Sequence, residues 1–134
     1  MAKIKKINHI GIVVSDIENS LSFWRDALGL KLDHIEDVSV QKSVVAFLPS
    51  GESEIELVKP SSDDSGVAKF LRERGSGMHH LCFEVDNIEE MLSELKSRGI
   101  RLINETPIEM EGRRTAFIHP KSADGVLVEL YQLT

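Results

Sequence analysis

The sequence predicts an α+β domain built from two tandem βαβββ modules, whose strands form a cupped mixed sheet with the helices on its outside. The segment from Asn8 aligns with the segment from His79, and each contains an apolar strand, a capped helix, a glycine and another strand. Apolar and polar residues then alternate, as in strands, through the rest of both segments. We predict one domain over residues 1–134, with module one at about 4–60, a linking helix at about 64–75 and module two at about 77–134.

Three helices are predicted from apolar periodicity and from residues that favour helix ends. The first has its inward stripe at Ile17, Leu21, Trp24 and Leu28, with Ser15 or Asp16 as N-cap and Gly29 after its end. The matching helix of the second module uses Ile88, Leu92 and Leu95, with Asp86 or Asn87 as N-cap and Gly99 as its stop. The linking helix turns Val67, Phe70 and Leu71 inward and ends at Gly75.

The remaining segments have the residue alternation and the turn residues of strands. In the first module the strands are "KLDHIEDV" and "SVVAFLP", joined near 41–42, and "SEIELVKP", which follows a turn at 50–51. In the second module they are "RLIN", "TAFIHP" and "GVLVELYQL", the last after a turn at 123–125. Each module therefore reads as β-α-β-β-β, and we expect a pseudo-twofold axis between the two modules.

Composition excludes several classes of protein. The net charge of −6 argues against non-specific nucleic-acid binding, which needs clustered lysines and arginines. The single cysteine, Cys82, cannot form an internal disulfide. No apolar run has the length of a signal peptide or of a membrane span. We therefore expect a soluble, cytoplasmic protein.

Two histidines and two glutamates recur at equivalent points of the repeat, and they are the strongest functional signal in the sequence. His9 matches His80, and Glu56 in "EIEL" matches Glu129 in "LVEL". Strand alternation places all four opposite the apolar, helix-facing residues, on the concave side of the predicted sheet. A single strand histidine or glutamate is more often an ordinary polar residue, but the fourfold repetition favours a shared ligand.

A divalent metal ion satisfies two imidazoles and two carboxylates that are buried together, since an unpaired buried carboxylate is costly. Nitrogen and oxygen ligands without a thiolate fit Co²⁺, Zn²⁺, Ni²⁺, Mn²⁺, Fe²⁺ or, with more oxygen ligands, Mg²⁺. Four protein ligands would leave positions open for substrate, as in a catalytic site. The other histidines have weaker claims. His79 is expected to be a neighbour of the site or structural, His34 to lie on the surface, and His119 to line the mouth of the pocket.

These residues resemble the vicinal oxygen chelate superfamily, which includes glyoxalase I, extradiol dioxygenases and bleomycin-binding proteins. In that superfamily paired βαβββ modules hold a metal ion through one histidine and one glutamate or glutamine each, which match His9, Glu56, His80 and Glu129. Within it the chain is most similar to the methylmalonyl-CoA epimerase family. The segments that carry this likeness are "NHIGIVVSDIENSLSFWRDALGL", "GVAKFLRERGSGMHHLCFEVDNIEE" and "FIHPKSADGVLVEL".

The resemblance implies a metal-dependent epimerase that interconverts (R)- and (S)-methylmalonyl-CoA by proton abstraction and return through a metal-stabilised enolate. Glu56 and Glu129 would be the bases, approaching from opposite sides of the substrate. A third-strand glutamate that some family members are proposed to use as a base corresponds here to about Val45, and the loop "EMEGRR" before "TAFIHP" is one residue shorter. His119, Lys121, Arg113 and Arg114 are candidate contacts for an acyl-CoA substrate, and superfamily relatives commonly form homodimers.

Two alternatives remain at this point. A glyoxalase I-like lyase acting on a glutathione hemithioacetal would use the same metal ligands, so the ligand set cannot separate it from an epimerase. A metal-free small-molecule binding protein of the bleomycin-resistance type is less favoured, because the chain has all four ligand residues and only 5% aromatic residues. An iron dioxygenase would have a single carboxylate ligand, which Glu56 argues against.

Overall fold

A computed structural model describes the whole chain, residues 1–134. The predicted α+β class is confirmed, and the strand pairing is mixed: it is parallel between β5 and β8 and antiparallel between β2 and β3, β3 and β4, β6 and β7, and β7 and β8. The first elements are β1 (Ile4–Val13), α1 (Ile17–Leu21), β2 (His34–Val38), β3 (Ser43–Ser50), β4 (Ser53–Pro60) and α2 (Gly66–Arg74). They are followed by β5 (Gly77–Val85), α3 (Ile88–Ser97), β6 (Ile108–Met110), β7 (Arg113–Ile118) and β8 (Leu127–Leu133).

The chain divides into two compact units, and strand β1 contributes residues to both. Unit 1 consists of residues 1–9 and 80–134, and unit 2 of residues 10–79. In unit 1 the strand order is the first part of β1, then β5, β8, β7 and β6. In unit 2 it is β2, β3, β4 and the second part of β1. The predicted division into modules at about 4–60 and 77–134 stays a prediction.

Unit 1 has an apolar core between α3 and strands β5, β7 and β8. Of the two predicted caps of α3, Asn87 is the one used, because its side chain accepts a hydrogen bond from the Glu90 N–H at 3.0 Å. Asp86 instead accepts a hydrogen bond from the Lys3 N–H at 2.8 Å. The core residues are Val85, Ile88, Leu92, Ala116, Ile118 and Leu130. Since side chains alternate along a strand, the neighbours of these residues on β5, β7 and β8 point to the other face.

Unit 2 has a second core, in which α1 packs against β3 and β4. Its members include Ile17, Leu21, Ala46 and Leu57. The predicted inward position of Leu28 is wrong, because 55% of its surface is exposed. Helix α1 continues as a π-helix over Ser22–Ala27, and the Leu28 N–H bonds the Phe23 carbonyl at 2.8 Å, five residues back. The wider turn rotates Leu28 away from the core stripe that an α-helix would have given it.

The predicted strand "RLIN" is also wrong, since only one isolated bridge forms there, between Leu102 and Ile118. The segment does run beside β7, and the Ile103 N–H donates to the Phe117 carbonyl at 2.8 Å. The Asn104 side chain then accepts the Phe117 N–H at 2.9 Å, where a strand would offer a backbone carbonyl. The strand that pairs with β7 is β6, which comes after this segment. No helix in the chain has the length and apolar character that crossing a bilayer requires.

Candidate metal centre

Three donor atoms from three strands meet in unit 1. The Nε2 atoms of His9 on β1 and His80 on β5 are 3.0 Å apart. Oε1 of Glu129 on β8 lies 3.2 Å from each of them. All three side chains are buried. The parallel pairing of β5 with β8 places Cys82 opposite Glu129, so that His80, two residues earlier on the same face, comes close to the carboxylate. Three of the four predicted ligands are therefore brought together.

The spacing of these atoms fits a divalent metal ion. An octahedral ion with bonds of about 2.1 Å has adjacent ligand atoms about 3.0 Å apart. A tetrahedral zinc ion with similar bonds has its ligands about 3.3 Å apart. The observed separations of 3.0 and 3.2 Å lie within this range. Two imidazole nitrogens and a carboxylate oxygen directed at one point also repel one another unless a proton or a cation lies among them. The donor set therefore fits a divalent cation.

Glu129 is held as a carboxylate by its neighbours. Burial alone raises its pKa, but hydrogen bonds from His80 and His9 and the attraction of these imidazoles outweigh that effect and lower the pKa to about 2. The other oxygen, Oε2, accepts a hydrogen bond from Oγ1 of the buried Thr115 at 2.7 Å. Thr115 therefore fixes the carboxylate so that Oε1 points at the two imidazoles, which suits a metal ligand.

His9 is oriented by its neighbour in the chain. Nδ1 of His9 and Oδ1 of Asn8 are 2.8 Å apart, and the Asn8 amide nitrogen donates to Oε1 of Glu84 at 3.4 Å. Because a carboxylate at Glu84 only accepts, the Asn8 oxygen faces His9, and Nδ1 of His9 carries the proton. This contact would leave the lone pair of Nε2 available to a bound metal ion. Lys5 pairs with Glu84 at 3.4 Å and completes this support.

Aromatic rings and one thiol surround the three donor atoms. The ring of Tyr131 meets that of His9 edge to face, with centroids 5.1 Å apart, and the ring of Phe117 lies 6.2 Å from that of His80. Cys82 is fully buried, and its Sγ lies within 4.8 Å of ligand atoms of His9 and Glu129. A thiol is thus a further possible donor at this centre, which the sequence reasoning did not include among the ligands.

The fourth predicted ligand, Glu56, belongs to unit 2. It lies on β4 between Ile55 and Leu57, which both pack into the core with α1, so its side chain faces away from that helix as predicted. Only 7% of its surface is exposed. The buried Val45 of β3 shares the face of Glu56, since Val45 pairs with Val58 and Phe47 with Glu56. The third-strand position on the face of Glu56 is therefore occupied by a valine, Val45, which cannot serve as a base.

The predicted substrate contacts differ in their surroundings. His119 is half-buried, and its Nδ1 accepts the Lys121 N–H at 3.0 Å at the start of a short 3₁₀ helix, while Lys121 itself is exposed. Burial, and then the charges of Arg101 and Lys121, lower the pKa of His119. Arg114 donates to Glu89 at 2.6 Å and to Glu109 at 2.8 Å. Arg113 lies over the ring of Tyr131, with 5.3 Å between its Cζ and the ring centroid.

The remaining histidines lie where the sequence suggested. His34 is exposed and stacks on Phe47, with ring centroids 4.4 Å apart. The ring of His79 packs edge to face on Phe70 of α2, with 5.0 Å between the centroids. Of the two adjacent histidines in "GMHHLCFEV", His80 is therefore the one that joins the donor atoms, and His79 contacts a helix. The role of each as ligand or neighbour stays a prediction.

Besides Cys82, two residues that support the site were missed from the sequence. Thr115 alternates with the core residue Ala116 on β7, so strand periodicity could have placed it on the face of Glu129. Its hydrogen bond to Glu129 needs the pairing of β7 with β8, which periodicity does not give. In the sequence Asn8 stands out only as the match of His79, and its contact with Glu84 depends on the pairing of β1 with β5.

Comparisons with known proteins agree with this geometry. A model of the glyoxalase/bleomycin resistance protein/dioxygenase superfamily matches residues 8–117. The chain is 39% identical to mouse mitochondrial methylmalonyl-CoA epimerase, over 97% of this chain and 74% of the relative. It is 27% identical to a probable lactoylglutathione lyase of Vibrio cholerae, over 95% of this chain and 90% of that relative.

This chain is also similar to solved structures of methylmalonyl-CoA epimerases. The methylmalonyl-CoA epimerase of Mycobacterium tuberculosis matches with a TM-score of 0.89 and 36% identity, over 98% of this chain and 89% of that one. A methylmalonyl-CoA epimerase in complex with methylmalonyl-CoA and NH4+ also has a TM-score of 0.89, at 29% identity, over 98% of this chain and 96% of that one. These likenesses cover nearly all of the chain and include the strands that carry the three donor atoms.

Proposed function

This chain belongs to the glyoxalase/bleomycin resistance protein/dioxygenase superfamily, and we propose that it is a methylmalonyl-CoA epimerase that depends on a divalent metal ion. The observation that carries this proposal is the 39% identity to an epimerase over 97% of the chain, against 27% to a lactoylglutathione lyase. The cluster of His9, His80 and Glu129 supports metal dependence but is common to both chemistries. The identity to its sequence relatives therefore favours the epimerase over the lyase.

The proposed metal ligands are His9, His80, Glu129 and Glu56. A divalent cation held by them would draw electron density from the thioester and carboxylate oxygens of the substrate and so acidify the carbon between them. The protein side chains keep the donor atoms in place, because Thr115 fixes the Glu129 carboxylate and Asn8 fixes the His9 ring. The identity of the ion, among Co²⁺, Zn²⁺, Ni²⁺, Mn²⁺ and Mg²⁺, stays a prediction.

Epimerisation requires one base on each side of the substrate carbon, and Glu56 and Glu129 are the candidates. The pKa of about 2 makes Glu129 a good ligand and a weak proton acceptor, since it gains hydrogen bonds from two imidazoles only as a carboxylate. For Glu129 to accept a proton, its contacts with His9 and His80 must loosen.

We also propose that the protein is a homodimer that acts in the cytoplasm. The exposed Phe23 on the π-helical segment supports association, because 53% of this large apolar side chain is uncovered and its ring meets that of Trp24 edge to face at 5.1 Å. The cytoplasmic location rests on the sequence alone. Sedimentation of the purified protein measures its oligomeric state directly.

Proton NMR in deuterium oxide tests the proposed activity. The α-proton signal of methylmalonyl-CoA should disappear in the presence of the protein, while the signals of a glutathione hemithioacetal should stay unchanged. Pretreatment with a chelator should stop the exchange, and adding back a divalent ion should restore it. Exchange or conversion of the hemithioacetal alone would assign the chain to the lyase class instead.

A further inference from the structure

Arg113 has a buried hydrogen-bond donor that nothing in the protein satisfies. Its Nε atom is buried and has no hydrogen-bond partner. The Arg113 guanidinium lies over the ring of Tyr131, with 5.3 Å between Cζ and the ring centroid. Leaving a buried N–H unpaired costs about 1–3 kcal/mol, and such a donor in a native structure calls for a partner outside the chain. A guanidinium selects planar oxyanions, because its donors match the two oxygens of a carboxylate.

The adjacent arginine shows what an ordinary structural role looks like at this point of the chain. Arg114 is satisfied by two carboxylates, those of Glu89 and Glu109, at 2.6 and 2.8 Å. With 22 acidic residues and a net charge of −6, the chain has ample carboxylates to pair with Arg113. Arg113 nevertheless forms no ion pair, and alternation along β7 directs it to the face opposite that of Arg114. That face is the one that carries Thr115.

Arg113 lies near the candidate metal ligands, as the contacts of two neighbouring residues show. Its guanidinium lies over Tyr131, and the Tyr131 ring meets the ring of His9, with centroids 5.1 Å apart. Two residues along β7 on the same face, Thr115 bonds Glu129. Arg113 is therefore separated from the candidate metal ligands by a single aromatic ring. Lys121 lies beyond the other end of β7, so a cation suited to the phosphates of a CoA is available at the opposite end of this strand.

We propose that Arg113 binds the free carboxylate of a malonyl-type thioester substrate and so selects acyl groups that carry this carboxylate. The inference rests on the proposed epimerase function, whose substrate has a carboxylate on the carbon that exchanges its proton. Binding pairs the half-buried Arg113 with the carboxylate oxygen that the proposed cation would leave free, and it satisfies the N–H that the chain leaves open. Arg113 is thus a specificity residue at the acyl end of the substrate, and the phosphates are contacted elsewhere.

Equilibrium binding of two thioesters to the intact protein tests this inference. The probes are methylmalonyl-CoA and propionyl-CoA, which differ by the carboxylate alone. Replacing Arg113 with glutamine should raise the Kd of methylmalonyl-CoA by about 10- to 100-fold, the effect of a lost charge-assisted hydrogen bond, and change that of propionyl-CoA by less than about two-fold. Arg113→Lys keeps the positive charge but lacks the paired donors of a guanidinium, so it should weaken methylmalonyl-CoA binding to an intermediate degree. Arg98→Gln is the control, because Arg98 is exposed and pairs with Glu94 at 3.3 Å, and it should leave both Kd values unchanged.

The outcomes separate this inference from the proposed function. Equal weakening of both thioesters by Arg113→Gln would mean that Arg113 contacts the CoA part, and unchanged binding would mean that it contacts neither part, so both results overturn the inference. In either case the wild type would still exchange the α-proton of methylmalonyl-CoA, and the epimerase assignment would stand. If the wild type neither binds nor exchanges methylmalonyl-CoA, both proposals fail. Should Arg113→Gln not fold, Arg113→Lys supports the inference by a loss confined to methylmalonyl-CoA.

Discussion

Oγ1 of Thr115 donates a hydrogen bond to Oε2 of Glu129 at 2.7 Å, and both side chains are buried. This bond occupies the carboxylate oxygen that does not face the imidazoles, and so it sets the direction of the other oxygen. Thr115 and Glu129 lie on β7 and β8, which pair directly, so the bond depends on the backbone register of these two strands. Support of this kind tunes a metal ligand without contacting the metal.

We predict that Thr115→Val weakens metal binding by about 10- to 100-fold, the usual effect of losing the hydrogen bond that orients a ligand. Valine keeps the shape of threonine but leaves Oε2 of Glu129 buried without a donor, which should also destabilise the fold by about 1–3 kcal/mol. Competition with a chromophoric chelator measures the affinity. Thr115→Ser is the matched control, since it keeps the hydroxyl, and it should retain most of the affinity. Equal affinities for the valine variant and the wild type would rule out this positioning role.

Substitution of the two adjacent histidines, His79 and His80, should have different effects on metal binding. His80→Ala removes one of three converging donor atoms, and we expect metal affinity to fall by more than about 100-fold. His79→Ala removes a ring that packs on Phe70 of α2, so it should reduce stability while leaving metal content near that of the wild type. Metal analysis of the two purified proteins checks this. Loss of metal from the His79 variant instead would mean that β5 presents its other face to the ligands.

Glu56 should matter more for proton transfer than for holding the metal. We predict that Glu56→Gln keeps bound metal, because His9, His80 and Glu129 remain and an amide oxygen can still bind, yet slows proton exchange of one epimer by about 100-fold or more. Deuterium incorporation into each epimer of methylmalonyl-CoA, followed separately, measures this. Glu54→Gln, two residues earlier on β4, serves as the control and should exchange both epimers normally. Undiminished exchange of both epimers by the Glu56 variant would exclude Glu56 as a base.

Periodicity and internal repetition were sufficient to predict the fold class, and they indicated the three side chains that the structure brings together. The repeat of His9 at His80 and of Glu56 at Glu129 needed no knowledge of strand pairing, because equivalent positions in the two copies face the same way. The positions that depend on long-range pairing were not accessible. The hydrogen bond of Thr115 to Glu129 and the contact of Asn8 with Glu84 each join residues that are far apart in the sequence.

The errors at Leu28 and in "RLIN" have local physical causes. The stripe through Ile17 and Leu21 assumes 3.6 residues per turn, and a π-helical insertion shifts every later residue out of that stripe. In "RLIN", the Asn104 side chain competes with its own backbone for the Phe117 N–H, as short polar side chains commonly do. Both events depend on hydrogen bonds that apolar periodicity does not detect.

The depressed pKa of Glu129 predicts how stability of the metal-free protein depends on pH. The ordinary pKa of 4.5 applies in the unfolded chain, and the folded value is about 2, so the folded protein holds the ionised form more strongly. The resulting stabilisation is present above pH 4.5 and is lost as the pH falls from there towards 2. A separation of this size corresponds to about 3 kcal/mol.

Urea unfolding of chelator-treated protein between pH 6 and pH 2 would measure this loss. We expect the difference in free energy of unfolding between the wild type and Glu129→Gln to shrink as the pH falls, because glutamine has no proton to gain and so removes the contribution of this one group. Thr115→Ser, which keeps the carboxylate and its donor, should follow the wild type. A difference that stays constant over this range would show that Glu129 is not the carboxylate whose ionisation stabilises the folded site.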